Sequence, residues 1–242
     1  MLKRSREVKR FEKKVAAWFK WQGREVVKRL PRLKKYFAES EASDIDKMID
    51  DALNVTVNNG EKFFSDGLLN GYTTGYADLE NSLELQKAFS LPHPDAVAWA
   101  EKNAALDVAD VTKTTKKHIK NLIVHGLEEG ESYDSVARAI RNQFSGPGKP
   151  NFSVHRARLI AVTENAKAYE EGGRTLVNEI QATGIDMEKS WHTVGDNNVS
   201  DGCQDNAADG WISANDEFSS GDQMPPRFPS CRCNTHYRVS RE

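Results

Sequence analysis

The helical period that runs through most of this 242-residue chain stops at Gly184, and all three cysteines lie beyond it. Cys203 sits in a polar stretch, and 28 positions later "PPRFPSCRCNTHYRV" carries Cys231 and Cys233 one residue apart. In an extended segment residues i and i+2 face the same way, so these two sulfurs can be presented to one point. His236 reaches that point if the strand bends, and Cys203 arrives from the loop. Cys203, Cys231, Cys233 and His236 are together the ligand types of a structural zinc site. The intervening "QDNAADGWISANDEFSSGDQMPPRFPS" has few apolar residues, so a metal would supply order that burial cannot. The spacing is not the CxxC…CxxC signature, and two other readings stand beside the metal. One is three buried thiols; the other is a disulfide from Cys203 to Cys231 or Cys233. Residues near 191–236 are expected to close into one small unit that gathers the three sulfurs.

Upstream, periodicity predicts a helix over 3–30 with Val8, Phe11, Val15, Trp18, Phe19, Val26 and Val27 on its apolar stripe, ended by Pro31. Residues 41–90 read as helical, interrupted at "NNGEKF" and at "DGLLNGYTTGYA". In the latter, Gly67, Gly71 and Gly75 would line one face and admit a neighbouring backbone. Pro92 and Pro94 mark a turn before a helix start capped by Asp95; a helix spans about 107–128, and Ser132 caps a shorter one through Phe144. "SGPGKP" at 145–150 is the clearest linker. Residues 153–184 form one long helix or two stacked ones, with Ser153 as N-cap, Gly172-Gly173 as a weak point and Gly184 as C-cap. "KSWHTV" and "CRCNTHYRV" read as short strands separated by an acidic loop. The expected class is α+β, a mostly α-helical elongated N-terminal region with a small C-terminal α+β module containing short strands. Three segments are expected: a basic helical arm over 1–37, a helical region over 38–150 and the Cys-bearing module over 151–242.

The net charge of -2 conceals an asymmetry. Residues 1–40 hold fourteen Lys and Arg against four Glu, so that segment stands at +10 and the remainder at -12. Lys3, Arg4, Arg6, Lys9, Arg10, Lys13, Lys14 and Lys20 are the candidate contacts to nucleic acid or to an acidic partner. Aromatics interleaved with them could stack on bases, although packing on a neighbouring helix is the plainer account of their spacing. Seven acids between Asp196 and Asp222 lack EF-hand spacing and read as a solvated loop. Glu164 falls on an apolar stripe, and an ion pair with Arg158 or Lys167 explains it more simply than catalysis. The sequence holds no P-loop, no GxGxxG and no Ser-His-Asp order, and no credible active site emerges. No apolar run is long enough to span a membrane, and no apolar h-region follows the basic start. Three cysteines in such a chain fit a reducing compartment.

Four stretches, in order, carry a resemblance: "VTKTTKKHIKNLIVHGLEEGESYDSVARAIRNQF", "RARLIAVTENAKAYEEG", "KSWHTVGDNNVSDGCQDNAADGWI" and "FSSGDQMPPRFPSCRC". The sequence resembles the phage head-morphogenesis (Mu F-like) family of minor head proteins over about residues 105–235. The most specific parts are the W-x-T-x-x-D run with its downstream Cys, and P-P-x-x-P-x-C-R-C. The resemblance implies a non-enzymatic virion component, a minor capsid protein present in few copies inside the head near the portal. Its implied partners are the portal protein and packaged double-stranded DNA, with scaffold or major capsid protein as further candidates. Assembly in the bacterial host cytoplasm is implied, with a role in head assembly or DNA delivery. Many members have Cys where Ser200 stands and His where Phe228 stands, which weakens the zinc reading or moves the fourth ligand to His236. Two other classes remain beside it: a nucleic-acid-binding regulator with a Cys/His metal knuckle, and an injected effector enzyme using the acidic loop or Glu164.

Overall fold

The computed structural model describes residues 2–29, 42–85, 94–129, 131, 133–145 and 152–240. Among them the element order is α1 (Leu2–Arg29), α2 (Ala42–Ser82), α3 (Pro94–Glu128), α4 (Tyr133–Ser145), α5 (Phe152–Ala182), β1 (Met187–His192), α6 (Asp201–Ala208), β2 (Ile212–Ser213) and β3 (Asn234–Val239). The class is α+β, with helices first and a three-stranded antiparallel sheet, order β2-β1-β3, at the C-terminal end. Pro31, Ser132 and most of "SGPGKP" lie outside the described residues. No described helix is long and apolar enough to cross a membrane.

The helices are less interrupted than their sequences imply. α2 runs straight through "NNGEKF", because Gly60 sits under the Trp18 indole, where a β-carbon would collide with the ring. A glycine that costs helix propensity is retained here for close packing. α3 is likewise one helix from Pro94, not a cap followed by a separate helix at 107. Proline suits a first helical position, and Asp95 falls inside the first turn, where a carboxylate favours the positive end of the dipole. α5 passes Gly172-Gly173 without a break, and Ser153 falls inside it. Beyond its end Gly184 takes φ +88, a left-handed conformation that suits glycine at a helix terminus.

The chain forms two compact units, one of residues 9–65 and 101–158, the other of 1–8, 66–100 and 159–242. In the first, the α1 stripe is core: Phe11, Val15, Trp18, Phe19 and Val26 are at most 3% exposed. Phe11 and Trp18 meet Phe64 edge-on at 5.3 and 5.7 Å, and the Trp18 indole donates to the Thr56 carbonyl at 3.0 Å. These rings are packing residues and are not available to stack on bases. Arg156 enters the same interior, donating to Thr115 Oγ1 at 2.9 Å and the Val111 carbonyl at 3.0 Å, with its guanidinium 5.0 Å from the centre of the Phe19 ring. Burial lowers its pKa to about 10, so it stays charged near neutrality.

In the second unit, Gly71 and Gly75 of the glycine stripe admit a close neighbour as their spacing predicts. A β-carbon on Gly75 would strike the Tyr169 carbonyl, and one on Gly172 would strike the Tyr72 carbonyl, so α2 and α5 touch backbone to backbone. Tyr72 Oη and Thr175 Oγ1 share a hydrogen bond of 2.6 Å, and Tyr76 donates to Glu179 at 2.5 Å. Tyr76, Leu79, Leu176, Val177 and Met187 form the apolar cluster beside that seam.

Candidate functional site

β1 pairs antiparallel with β3, placing Trp191 opposite Thr235 and His192 opposite Asn234. The loop read as irregular between the strands contains α6. Ser200 caps that helix, its hydroxyl accepting the Cys203 N–H at 3.4 Å. The cap fixes Cys203 in the first turn of α6, pointing inward at 1% exposure. Cys231 and Cys233 do not lie on a strand as expected; β3 begins one residue later, at Asn234. A tight turn delivers them instead. Ser230 adopts φ 66, its N–H donates to Thr163 Oγ1 of α5 at 3.0 Å, and the Cys231 N–H returns to the Phe228 carbonyl at 3.0 Å.

The three sulfurs do converge, all within 4.8 Å of one another, with Cys203 and Cys231 4.0 Å apart. All three cysteines are free and buried, packed with Trp191 and Phe218, whose rings meet edge-on at 5.2 Å. Burial raises the Cys203 thiol above its ordinary pKa and pushes Cys233 up to about 12, with the Trp191 indole acting in the opposite sense on Cys233. Without a metal Cys203 and Cys233 are therefore held as neutral thiols at physiological pH.

His236 does not join them. It projects from β3 onto His192, the two rings stacked with centroids 3.6 Å apart, and burial and His192 both hold its pKa below the ordinary value. Among the described residues the clustered ligand set is three sulfurs with no histidine, so a Cys/His knuckle lacks its histidine. The donor chemistry still fits a soft cation. Zn–S bonds of ~2.3 Å place neighbouring sulfurs ~3.8 Å apart in a tetrahedron, close to the Cys203–Cys231 separation.

The motif residues around the sulfurs are joined physically. Asp196 accepts from both terminal guanidinium nitrogens of Arg232 at 2.7 Å, tying the end of W-x-T-x-x-D to the middle of C-R-C. That forked pair, with the Asn198 N–H, holds the Asp196 carboxyl below its usual range. Other acids of the loop also have local work: Asp222 binds Arg227 at 2.5 Å, and Asp209 accepts the Ser219 N–H at 2.8 Å. Glu164 pairs with Lys167 at 2.9 Å, the simpler of its two explanations. Two α5 residues that the sequence did not flag anchor the C-terminal segment: Thr163 under Ser230, and Glu170, which accepts the Thr235 N–H at 3.0 Å. Their seven-residue spacing, two turns on one helix face, was the available signal.

Residues 117–236, about half of the chain, match the family described as Phage Mu protein F like protein. The chain belongs to the Mu F-like family. The matched span contains α4, α5, β1, α6, β2 and the first half of β3, together with the sulfur cluster. The family is one of structural phage head proteins, which makes this Mu F-like chain a phage head-related protein of the virion. No curated protein and no solved structure matches it.

On α1, Arg6, Lys9, Arg10, Lys13 and Lys20 are exposed, while Lys14 is half-buried. The side chains of Lys3 and Arg4 lie outside the described residues. The exposed set occupies the face opposite the buried stripe, an amphipathic arrangement that keeps the cations in water.

Proposed function

We propose that this protein is a minor head protein that docks on the portal vertex inside the phage head and touches packaged DNA through the basic face of α1. The observation that carries the reading is the match over residues 117–236, coincident with a small buried core whose motif residues Asp196 and Arg232 are paired. A compact module suits docking on an oligomeric ring, and an exposed cationic helix face suits phosphate neutralisation. Co-expression with the portal protein of the same phage tests it. Co-purification of the chain with assembled portal rings is expected, and its absence at low salt would overturn the docking role. Deleting the first helix is the wrong test of DNA binding, since its other face is core. Replacing Arg6, Lys9, Arg10, Lys13 and Lys20 with Gln keeps that core, and should lower the slope of log K against log salt by roughly 0.9 for each phosphate no longer neutralised. An unchanged slope would remove DNA from the partner set.

The sulfur cluster is proposed to hold a structural zinc, with Cys203, Cys231 and Cys233 as its protein ligands. Such an ion would require deprotonated thiolates and would add binding free energy to folding. Protein purified without chelator is expected to contain stoichiometric zinc that Cys231→Ser abolishes. Metal-free protein melting at the same temperature with and without added zinc would establish the cluster as buried thiols.

A further inference from the structure

A cleft of about 290 Å³ opens between α2, α5 and the sheet. Its chemistry is set by Asp78 of α2, Tyr169 and Glu170 of α5, Trp211 just before β2, and Tyr237 of β3. Glu170 is 2% exposed and fixed by the Thr235 N–H at 3.0 Å; Asp78 is exposed and accepts the Tyr169 hydroxyl at 3.1 Å. Among the described residues no Lys or Arg lines the cleft, and His236 at its wall is held toward the neutral form by burial and by His192. The guanidinium groups nearby already have carboxylates: Arg238 binds Glu188 at 2.7 Å while lying 4.1 Å from the centre of the Trp211 ring, and Arg174 binds Glu171 at 2.7 Å. The cleft therefore offers two carboxylates and the rings of Tyr169 and Tyr237, beside a Trp211 ring with Arg238 on one side, and no Lys or Arg lines it among the described residues.

That combination excludes phosphate and selects for positive charge. Ammonium and guanidinium groups both satisfy carboxylates, but only guanidinium pairs with them in a planar fork while stacking on a ring. The volume is at the small end of ligand sites, suited to one inserted side chain and too small for a nucleotide cofactor. We infer that this cleft receives an arginine side chain from a partner protein. The inference rests on the docking role proposed above and names the chemistry by which the module holds its partner. It also gives the chain two surfaces of opposite preference, cations on α1 for a polyanion and carboxylates here for a basic anchor.

The full chain is titrated with the peptide acetyl-Gly-Arg-Gly-amide and with its citrulline counterpart, following the Trp211 indole N–H resonance, assigned through Trp211→Phe. The arginine peptide is expected to shift that resonance saturably, and the citrulline peptide, isosteric but uncharged, to leave it in place. Glu170→Gln should weaken binding roughly tenfold to a hundredfold, the range for hydrogen bonds to charged groups. Because Glu170 also anchors β3, Asp78→Lys provides a second test on an exposed side chain, and it should abolish the shift with the circular dichroism spectrum unchanged. Equal binding of the citrulline peptide, no shift with the arginine peptide, or full binding by the Asp78→Lys variant would each overturn the inference. Portal co-purification is scored separately: if it persists while the peptide fails to bind, the cleft assignment alone is wrong.

Discussion

Gly172 and Gly173 are adjacent on α5, yet alanine should affect them in opposite directions. A β-carbon at Gly172 would fall on the Tyr72 carbonyl and the Tyr76 backbone nitrogen, neither of which can swing aside as a side-chain tip could. α2 and α5 must then separate, loosening the Tyr72–Thr175 and Tyr76–Glu179 hydrogen bonds of 2.6 and 2.5 Å that bridge them. Overpacking of this kind costs about 1–3 kcal/mol, and each broken hydrogen bond adds about 1 kcal/mol. Replacing a helical glycine with alanine returns up to ~1 kcal/mol. The net expectation for Gly172→Ala is a loss of about 2–4 kcal/mol, or about 4–16 °C in melting temperature for a chain of this length. At Gly173 the nearest atom is 3.7 Å away, on the Tyr237 ring, an ordinary separation. Only the propensity gain remains there, so Gly173→Ala should be neutral or raise the melting temperature by about 2–4 °C. Calorimetric melts of the two variants beside the parent decide the matter. A Gly172→Ala variant that melts at or above the parent would show that the two backbones do not meet at this point.

Acid titration should expose Glu25, whose carboxyl is lowered to about 2, chiefly by hydrogen bonds from Lys28 and Arg29, both at 2.7 Å. A lowered acid contributes stability above its unfolded pKa and loses it as pH falls through the folded value. Glu25→Gln should therefore cost up to about 1 kcal/mol at pH 7 and flatten the stability profile between pH 4.5 and 2, measured by urea unfolding across that range. Lys189 shows the converse. It is 1% exposed, donates to the Gln223 backbone and side-chain oxygens at 2.9 and 3.0 Å, and burial brings its pKa from 10.5 down to about 8. Below pH 8 it is charged in both folded and unfolded states. Between 8 and 10.5 the unfolded chain holds more protons, so its contribution to stability rises with pH. Lys189→Met should remove that rise, and a slope that survives the substitution would assign it to other groups.

The glycine seam was legible because glycines four apart share one helix face whatever the surroundings. The meeting of the sulfurs was anticipated from a strand, whereas the turn at Ser230 and the capped α6 are what bring them together. Other features depended on partners distant in the chain. Nothing near "NNGEKF" reveals that Trp18 will lie on Gly60 and keep the helix continuous. α6 was hidden because its eight residues carry almost no apolar periodicity; Ser200 as its cap was the available cue. His236 was grouped with the cysteines by nearness in sequence, whereas strand pairing carries its ring to His192. Glu170 was not singled out at all, because its role depends on β3 laying the Thr235 N–H against it.

The hold that Thr163 and Glu170 exert on the C-terminal turn and strand has a consequence for anyone moving this module between proteins. The piece that can be transplanted does not begin where the strands begin. A graft cut at Gly184 would carry the cysteines but leave behind both hydrogen-bonding anchors, along with the α2 wall against which α5 rests. The portable unit has to include these two helices or meet close substitutes for them in its new host.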